Sequence, residues 1–296
     1  YEICAASCQD SGKTLMEAYL GEILANAEKI RWTMEYGEEC LASEEKSIPL
    51  LMLTKRAEVR WIPKGVIASI IPWNYPFTNV ISGTIAALFS GNAVVVKPSE
   101  WVAWSSISTF ERIFHESLIE CGFSPDLVQF VLGYGDAGSA LIKAKEVRHV
   151  FFIGSPVTGS RVMEAACEGL KECTLELGGQ DPFIITEDID LDFIVDYAAR
   201  AVFYNLGQNC ICAERIYVHE KIEEAFTRDV LKVTKKLKQG PTICKPGVLT
   251  PEEVNDCGAI TMTAQLKIIQ ELVDDAIENG AKCLTGGSPV LTEQGQ

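Results

Sequence analysis

Gly65-Val66-Ile67-Ala68-Ser69-Ile70-Ile71 opens the stretch that decides the fold: this short apolar run is followed by a helix-length segment, Thr78 to Phe89, and by a second apolar run, Ala93-Val94-Val95-Val96. Runs this short, β-branched and continuous belong to strands buried on both faces. A helix between two such strands makes them parallel, because a parallel pair needs a long crossover. The pattern continues with a helix Ser105 to Glu120, a strand Leu127 to Leu132, a helix Ala137 to Lys143, a strand Val147 to Phe152 and a helix Ser160 to Gly169. The sequence predicts an α/β fold on a doubly wound, Rossmann-like parallel sheet.

Around this core the organisation changes. An amphipathic helical stretch, Leu15 to Tyr36, precedes it. Between the two, Leu50-Leu51-Met52-Leu53, a charged turn at Lys55-Arg56, and Val59-Arg60-Trp61-Ile62 predict a β-hairpin over Ser47 to Lys64. A second α/β series begins near Leu177: strand Phe183 to Ile185, helix Leu191 to Tyr204, strand Arg215 to Val218 and helix Ile222 to Leu237. A loose stretch, Gln239 to Asp256, carries three prolines and two glycines, and a helix Ala264 to Asn279 and a strand Lys282 to Leu284 follow it. The expected domains are a dinucleotide-binding domain over 1–46 and 65–176, the hairpin over 47–64, and a second α/β domain over 177–296, with a site between the two domains.

Composition narrows the function. With 47% hydrophobic and 23% charged residues the chain is globular, and its formal net charge of −15 argues against nucleic acid or an anionic membrane as the main partner. Eleven cysteines and three histidines are scattered, without a CxxC pair, which predicts neither a disulfide framework nor a metal site and points to a reducing, cytoplasmic setting. Apolar runs such as Val66 to Ile71 are too short to span a bilayer. The chain begins at Tyr1 without an initiator Met and stops at Gln296 after a Gly-Gly turn, so it reads as a fragment; membrane association is expected only through segments outside it.

The chemistry concentrates at two positions. Cys210 lies in Gly207-Gln208-Asn209-Cys210, and 34 residues upstream (210 − 176) Glu176 lies in Leu175-Glu176-Leu177-Gly178-Gly179. A thiolate adds to a carbonyl carbon, and a carboxylate activates water to break the covalent intermediate. Two glycine loops, Gly133-Tyr134-Gly135-Asp136-Ala137-Gly138 and Gly154-Ser155-Pro156-Val157-Thr158-Gly159, each follow a strand and open a helix, as a dinucleotide site requires. Gly12-Lys13-Thr14 lacks the first glycine of a phosphate loop, position 7 being Ser, and reads as a helix start.

Pro72-Trp73-Asn74-Tyr75-Pro76, Lys97-Pro98-Ser99-Glu100, Phe152-Ile153-Gly154-Ser155, the Glu176 segment and the Cys210 segment occur in an order and at spacings that resemble the aldehyde dehydrogenase superfamily. The resemblance runs from Asp10-Ser11-Gly12-Lys13 to Gly286-Gly287. It implies NAD as cofactor, a small-molecule aldehyde as substrate, Cys210 as nucleophile, Glu176 as the deacylating base, and the Asn74 amide with the Cys210 N–H as oxyanion donors. The cofactor-binding positions it implies are Ile70, Ile71, Pro72, Trp73, Lys97, Ser99, Glu100, Gly133, Gly135, Phe152, Gly154, Ser155, Leu177 and Gly178. Gly154 and Ser155 would meet the pyrophosphate and the Gly133 loop the adenine. Glu100 would accept from both ribose hydroxyls and repel a 2′-phosphate, favouring NAD over NADP. The hairpin would be the arm that exchanges strands between subunits of a dimer or tetramer.

The sequence departs from the commoner family pattern at Gln180, where Lys is usual after Gly179, at Ile153, where Thr is frequent, and at Pro156. These departures suggest a divergent branch akin to plant and fungal members. The family's downstream Glu-x-Phe-Gly-Pro string does not occur in residues 1–296. Three readings stand: an NAD-dependent aldehyde dehydrogenase, a catalytically silent dinucleotide-binding or structural protein, and a cysteine hydrolase using Cys210 and Glu176 without a cofactor. Cys212 is the alternative nucleophile, at the wrong spacing for the family.

Overall fold

The computed structural model describes residues 1–243 and 255–290. Helix α1 (Glu2–Ser11) is followed by α2 (Leu15–Ala18), which passes through a π-helical turn, Tyr19–Leu24, into α3 (Ala25–Cys40). Strands β1 (Glu44–Lys46) and β2 (Ala57–Val59) come next, then β3 (Val66–Ile70), α4 (Pro76–Phe89), β4 (Ala93–Lys97), the short α5 (Ala103–Ser105) and α6 (Arg112–Glu120). The first sheet is completed by β5 (Val128–Phe130), α7 (Gly135–Lys143), β6 (Val147–Gly154), α8 (Pro156–Cys167) and β7 (Glu172–Leu177). Then follow β8 (Asp181–Ile185), α9 (Leu191–Phe203), β9 (Ala213–Val218), α10 (Glu223–Thr234) and α11 (Thr263–Glu278).

The chain divides into two compact units: Tyr1–Ala6 with Tyr19–Leu177, and Ser7–Ala18 with Gly178–Gln296. In the first, five strands run in the order β5-β4-β3-β6-β7, and every neighbouring pair is parallel. Alternation along β3 fills two cores. Ile67 joins Val80, Ile81, Val94, Phe110 and Val128 on one face, while Ala68 joins Val150, Phe152, Val162 and Ala166 on the other. Both faces are covered at the centre of the sheet, which is why β3 and β4 are near-continuously apolar instead of alternating. The order reverses between β3 and β6, the switch point at which open α/β sheets place their ligands.

The second unit pairs β8 with β9 in parallel, and Ile185, Val195, Ala198 and Phe226 form its core. Sequence and structure part at several places here and in the first unit. Strand β7, which carries Glu176, belongs to the first sheet and extends it through Leu177. Residues Ser7–Ala18, expected with the first domain, group with the second unit because their polar contacts lie there: Gln208 Nε2 donates to the Ser11 carbonyl at 2.9 Å, and Thr261 Oγ1 to the Asp10 carbonyl at 3.3 Å.

The hairpin forms with different strands from those expected. Glu44–Lys46 pairs antiparallel with Ala57–Val59, and Leu50–Met52 is a 3-10 turn. Pro49, at φ −62 and without an N–H to donate, sets that turn and ends any ladder. Glu45 faces Glu58 across the pair, and Arg56 bridges to both carboxylates, relieving the like-charge opposition. The expected strand at Lys282 to Leu284 is not formed, because it has no ladder partner among the described residues. Within the loose stretch 239–256, residues 244–254 lie outside the described residues.

Candidate active site

A cleft of about 570 Å³ opens at the carboxyl ends of β3, β4 and β6. Ile70, Ile71, Pro72, Trp73, Lys97, Ser99, Glu100, Gly135, Phe152, Gly154 and Ser155 all line it. Of the remaining sequence-predicted cofactor residues, Gly133, Leu177 and Gly178 fall outside this lining. Gly133 makes the turn into α7 at φ +146, a conformation open to glycine alone, and a Cβ there would lie 2.5 Å from that of Ala137. Leu177 packs under α8, where a Cβ on Gly159 would meet its Cδ2 at 2.7 Å.

The cleft wall at β6 is a helix N-terminus. Ser155 caps α8, its Oγ accepting the Thr158 N–H at 3.3 Å, and Pro156 takes the first helical position, where a missing N–H costs nothing. The β4 wall carries charge. Lys97 is buried with its Nζ donating to the Pro98 carbonyl at 3.3 Å, and burial pushes its ammonium below the usual lysine range, against the opposing pull of Glu100 and Asp136. Ser99 Oγ accepts the Trp101 N–H at 3.4 Å and donates to Glu100 Oε2 at 3.3 Å, so the loop after β4 holds the exposed carboxylate at the cleft edge.

Asn74 sits in the loop between β3 and α4, half-buried, with its Oδ1 accepting from Asn79 Nδ2 at 3.3 Å. That bond turns the carbonyl side of the amide toward α4 and its NH₂ side the other way. Glu176 stands on β7 in register with Ile153 and is exposed on the first unit.

Cys210 lies in the second unit, at the end of a turn built from three consecutive left-handed residues: Asn205 at φ 53, Leu206 at φ 58 and Gly207 at φ 72. The cysteine is exposed, with its Sγ 3.8 Å from Asn209 Oδ1. Cys212, two positions on, is buried with its Sγ 3.5 Å from the Tyr204 carbonyl. Burial, reinforced by Glu214 and Cys210, pushes the Cys212 thiol up to about 11. A buried thiol so far above neutrality is inert. At the Gln180 departure Arg215 Nε donates to the Gln180 carbonyl at 2.9 Å.

Residues 1–296 match the model of the aldehyde dehydrogenase family. The chain belongs to the aldehyde dehydrogenase family. It is 38% identical over 282 residues to an aldehyde dehydrogenase-like protein of Schizosaccharomyces pombe, covering 95% of this chain and 52% of that protein. The NAD⁺ complex of an aldehyde dehydrogenase from Bacillus cereus superposes with a TM-score of 0.86 at 29% identity, over 98% of this chain and 56% of that one. Succinic semialdehyde dehydrogenase from Streptococcus pyogenes in complex with NADP⁺ gives 0.85 at 26% identity, over 97% and 59%. The chain spans about half the length of the curated relatives it matches.

In this chain of the aldehyde dehydrogenase family the structure also brings to the cleft Gly138 and Thr158, which the two glycine loops contain but which were not assigned to the cofactor, and Arg161, which no motif included. Their signal was present as spacing. Gly138 is the third glycine of the first loop, and Thr158 and Arg161 follow the Ser155 cap at helical intervals of three. Asn205 and Gln208, whose partners before the Cys210 segment are Glu17 and Ser11, carried no comparable signal for those partners.

Proposed function

We propose that the protein carrying this chain oxidises a small aldehyde to a carboxylic acid with NAD, through a covalent intermediate on Cys210. The observation that carries the reading is the contrast between two neighbouring cysteines: Cys210 exposed at the end of a left-handed turn, and Cys212 buried with its thiol raised to about 11. The cleft supports the cofactor. A Cβ on Gly135 would meet no atom within 4 Å, so the start of α7 faces open space, and the Ser155-capped end of α8 presents N–H groups suited to phosphate. Lys97 and Glu100 at the end of β4 would hold the adenine ribose.

Cys210 Sγ bonds to the aldehyde carbon, and the oxygen becomes an oxyanion stabilised by Asn74 Nδ2 and the Cys210 N–H. NAD, when bound, supplies the hydride acceptor that makes oxidation to the thioester possible. Glu176 then takes a proton from water; the hydroxide attacks the thioester carbon, the C–S bond breaks, and the carboxylate leaves with Cys210 restored. The hairpin with exposed Leu50, Leu51, Met52 and Leu53 supports an oligomerisation arm, since contiguous exposed apolar surface marks an interface.

The deciding experiment is absorbance of reduced cofactor with the full-length protein, NAD or NADP, and an aldehyde panel that includes succinic semialdehyde. Turnover with NAD is expected. Cofactor binding without turnover on any aldehyde would leave a silent dinucleotide-binding protein, and thioester hydrolysis without cofactor binding would leave a cysteine hydrolase.

A further inference from the structure

Thr14 and Glu17 start the helix that contains α2 with a reciprocal cap: the Thr14 N–H donates to Glu17 Oε2 at 2.7 Å, and the Glu17 N–H donates to Thr14 Oγ1 at 3.3 Å. Such a capping box occupies one carboxylate oxygen. The other is used elsewhere. Glu17 Oε1 accepts the Asn205 N–H at 2.9 Å, and Tyr204 Oη donates to the Glu17 carbonyl at 3.3 Å. The helix start therefore grips the chain where it enters the left-handed run Asn205 to Gly207, three residues before Cys210.

That run needs an external hold. Leu206 at φ 58 has a side chain that disfavours this region, and such conformations persist only where the surroundings over-determine them. Two anchors supply the constraint. Gln208 Nε2 donates to the Ser11 carbonyl at 2.9 Å while its Oε1 accepts the Thr261 N–H at 2.9 Å. Gly12, at φ +72, lies so close to Ala259 that a Cβ would be 2.1 Å from its carbonyl oxygen, which fixes the segment from which Glu17 projects.

We propose that Glu17 is a positioning residue for the nucleophile turn: by accepting the Asn205 N–H it holds Asn205, Leu206 and Gly207 left-handed and so keeps Cys210 exposed. The inference rests on the reading of Cys210 as nucleophile only for its catalytic consequence; the hold on the turn stands apart from it. If the hold is what keeps the thiol out in solvent, releasing it should lower the mean exposure of Cys210, which gives the effect its direction.

The test compares Glu17→Ala, Glu17→Gln and Thr14→Val in the full-length protein. The first readout is the iodoacetamide alkylation rate of Cys210, resolved by peptide mass spectrometry against exposed Cys40 and Cys121 as internal standards. The second is hydrogen exchange of the Asn205–Gln208 amides. Glu17→Ala should slow Cys210 alkylation about fivefold or more and raise exchange at Asn205, the scale of one lost hydrogen bond to a carboxylate. Glu17→Gln retains an acceptor for Asn205 and should stay within about twofold of the parent. Thr14→Val removes the Oγ1 bonds to the Glu17 N–H and to Oε2 but leaves Oε1 to accept from Asn205, and should stay within about twofold as well.

An unchanged Cys210 rate in Glu17→Ala despite faster Asn205 exchange would overturn the proposal, as would an equal loss in Thr14→Val. If Glu17→Ala does not fold, Glu17→Asp, whose shorter side chain draws back from the Asn205 N–H, replaces it: slower Cys210 alkylation with faster Asn205 exchange supports the proposal, and an unchanged rate with faster exchange overturns it. Absence of aldehyde oxidation in the parent protein would sink the functional reading while leaving the alkylation comparison intact.

Discussion

The Thr78 N–H donates to Glu22 Oε2 at 2.7 Å, joining residues 56 positions apart, and Glu22 is fully buried. Helix α4 begins at Pro76, and Tyr75 before it makes no side-chain cap. Glu22 therefore acts as the cap from a distant helix, with its charge at the positive end of the α4 dipole. Thr78 Oγ1 donates in return to the Gly21 carbonyl, and Asn26 Nδ2 donates to Thr78 Oγ1 at 2.7 Å. The loop carrying Asn74 is bounded by this anchored helix end.

Removing that carboxylate leaves the Thr78 N–H without this acceptor. Glu22→Ala should destabilise the first unit by about 2–3 kcal/mol, the cost of losing a buried hydrogen bond to a charged group. Glu22→Gln keeps one acceptor and should lose less. Urea unfolding followed by fluorescence measures both; equal, small losses in the two variants would show that the contact is not a cap of consequence.

The two cysteines of the turn should separate cleanly under alkylation. Only the thiolate reacts, and Cys212, buried with a thiol raised to about 11, stays protonated through the ordinary working range. Modification at Cys210 should dominate at pH 8, and Cys212 should join only as the pH nears its raised value or the protein unfolds. Cys210→Ser should abolish aldehyde oxidation with NAD binding kept, whereas Cys212→Ser should be mild. Activity lost in the second variant and kept in the first would reverse the assignment.

Glu176→Gln removes the proposed base while roughly keeping the shape of the side chain on β7. Acylation should persist and deacylation slow, so rapid mixing should show a burst of NADH ahead of a slow steady state. A missing burst with cofactor still bound would assign Glu176 an earlier role.

The parallel sheet was legible because its strands are buried on both faces, which leaves continuous runs such as Val66 to Ile70 with little else to be. Strand β7 was not. It forms the sheet edge, and Glu172–Leu177 alternates exposed with half-buried residues for most of its length, so no apolar run announces it. The hairpin was legible as a hairpin but not in its strands, since Leu50 to Leu53 looks like a buried run and is exposed, Leu51 at 99%. Glu17 and Glu22 were illegible for another reason. Their partners Asn205 and Thr78 lie 188 and 56 residues away, and local patterns carry no information at that range.

Glu100 gives a prediction about cofactor choice. It is exposed at the cleft edge, held by Ser99, where a ribose 2′-position would approach. Glu100→Ala should weaken NAD and relieve repulsion of a 2′-phosphate, shifting the kcat/KM ratio toward NADP by about tenfold, the scale of one charge-assisted contact. An unchanged ratio would place the carboxylate in solvent, unconnected with the cofactor.

His149 should make the first unit sensitive to acid. Its Nε2 meets Thr174 Oγ1 at 3.0 Å, and its Nδ1 stands 4.0 Å from Glu172 Oε2, which is itself paired with Lys64 Nζ at 2.6 Å. Burial lowers the imidazole below its usual value of 6.5; Lys64 lowers it further and Glu172 opposes them. As pH falls through 6.5 the unfolded chain takes up the proton while the folded chain resists it, so stability is lost on the acid side and is fully present above 6.5. The loss levels off once the folded histidine protonates too. His149→Gln has no proton to take up, and its melting temperature should fall less than the parent's between pH 7.5 and 5.5. Parallel melting curves for the two proteins across that window would show that His149 titrates alike in the folded and unfolded chain, contrary to the environment that Lys64, Glu172 and the surrounding sheet create.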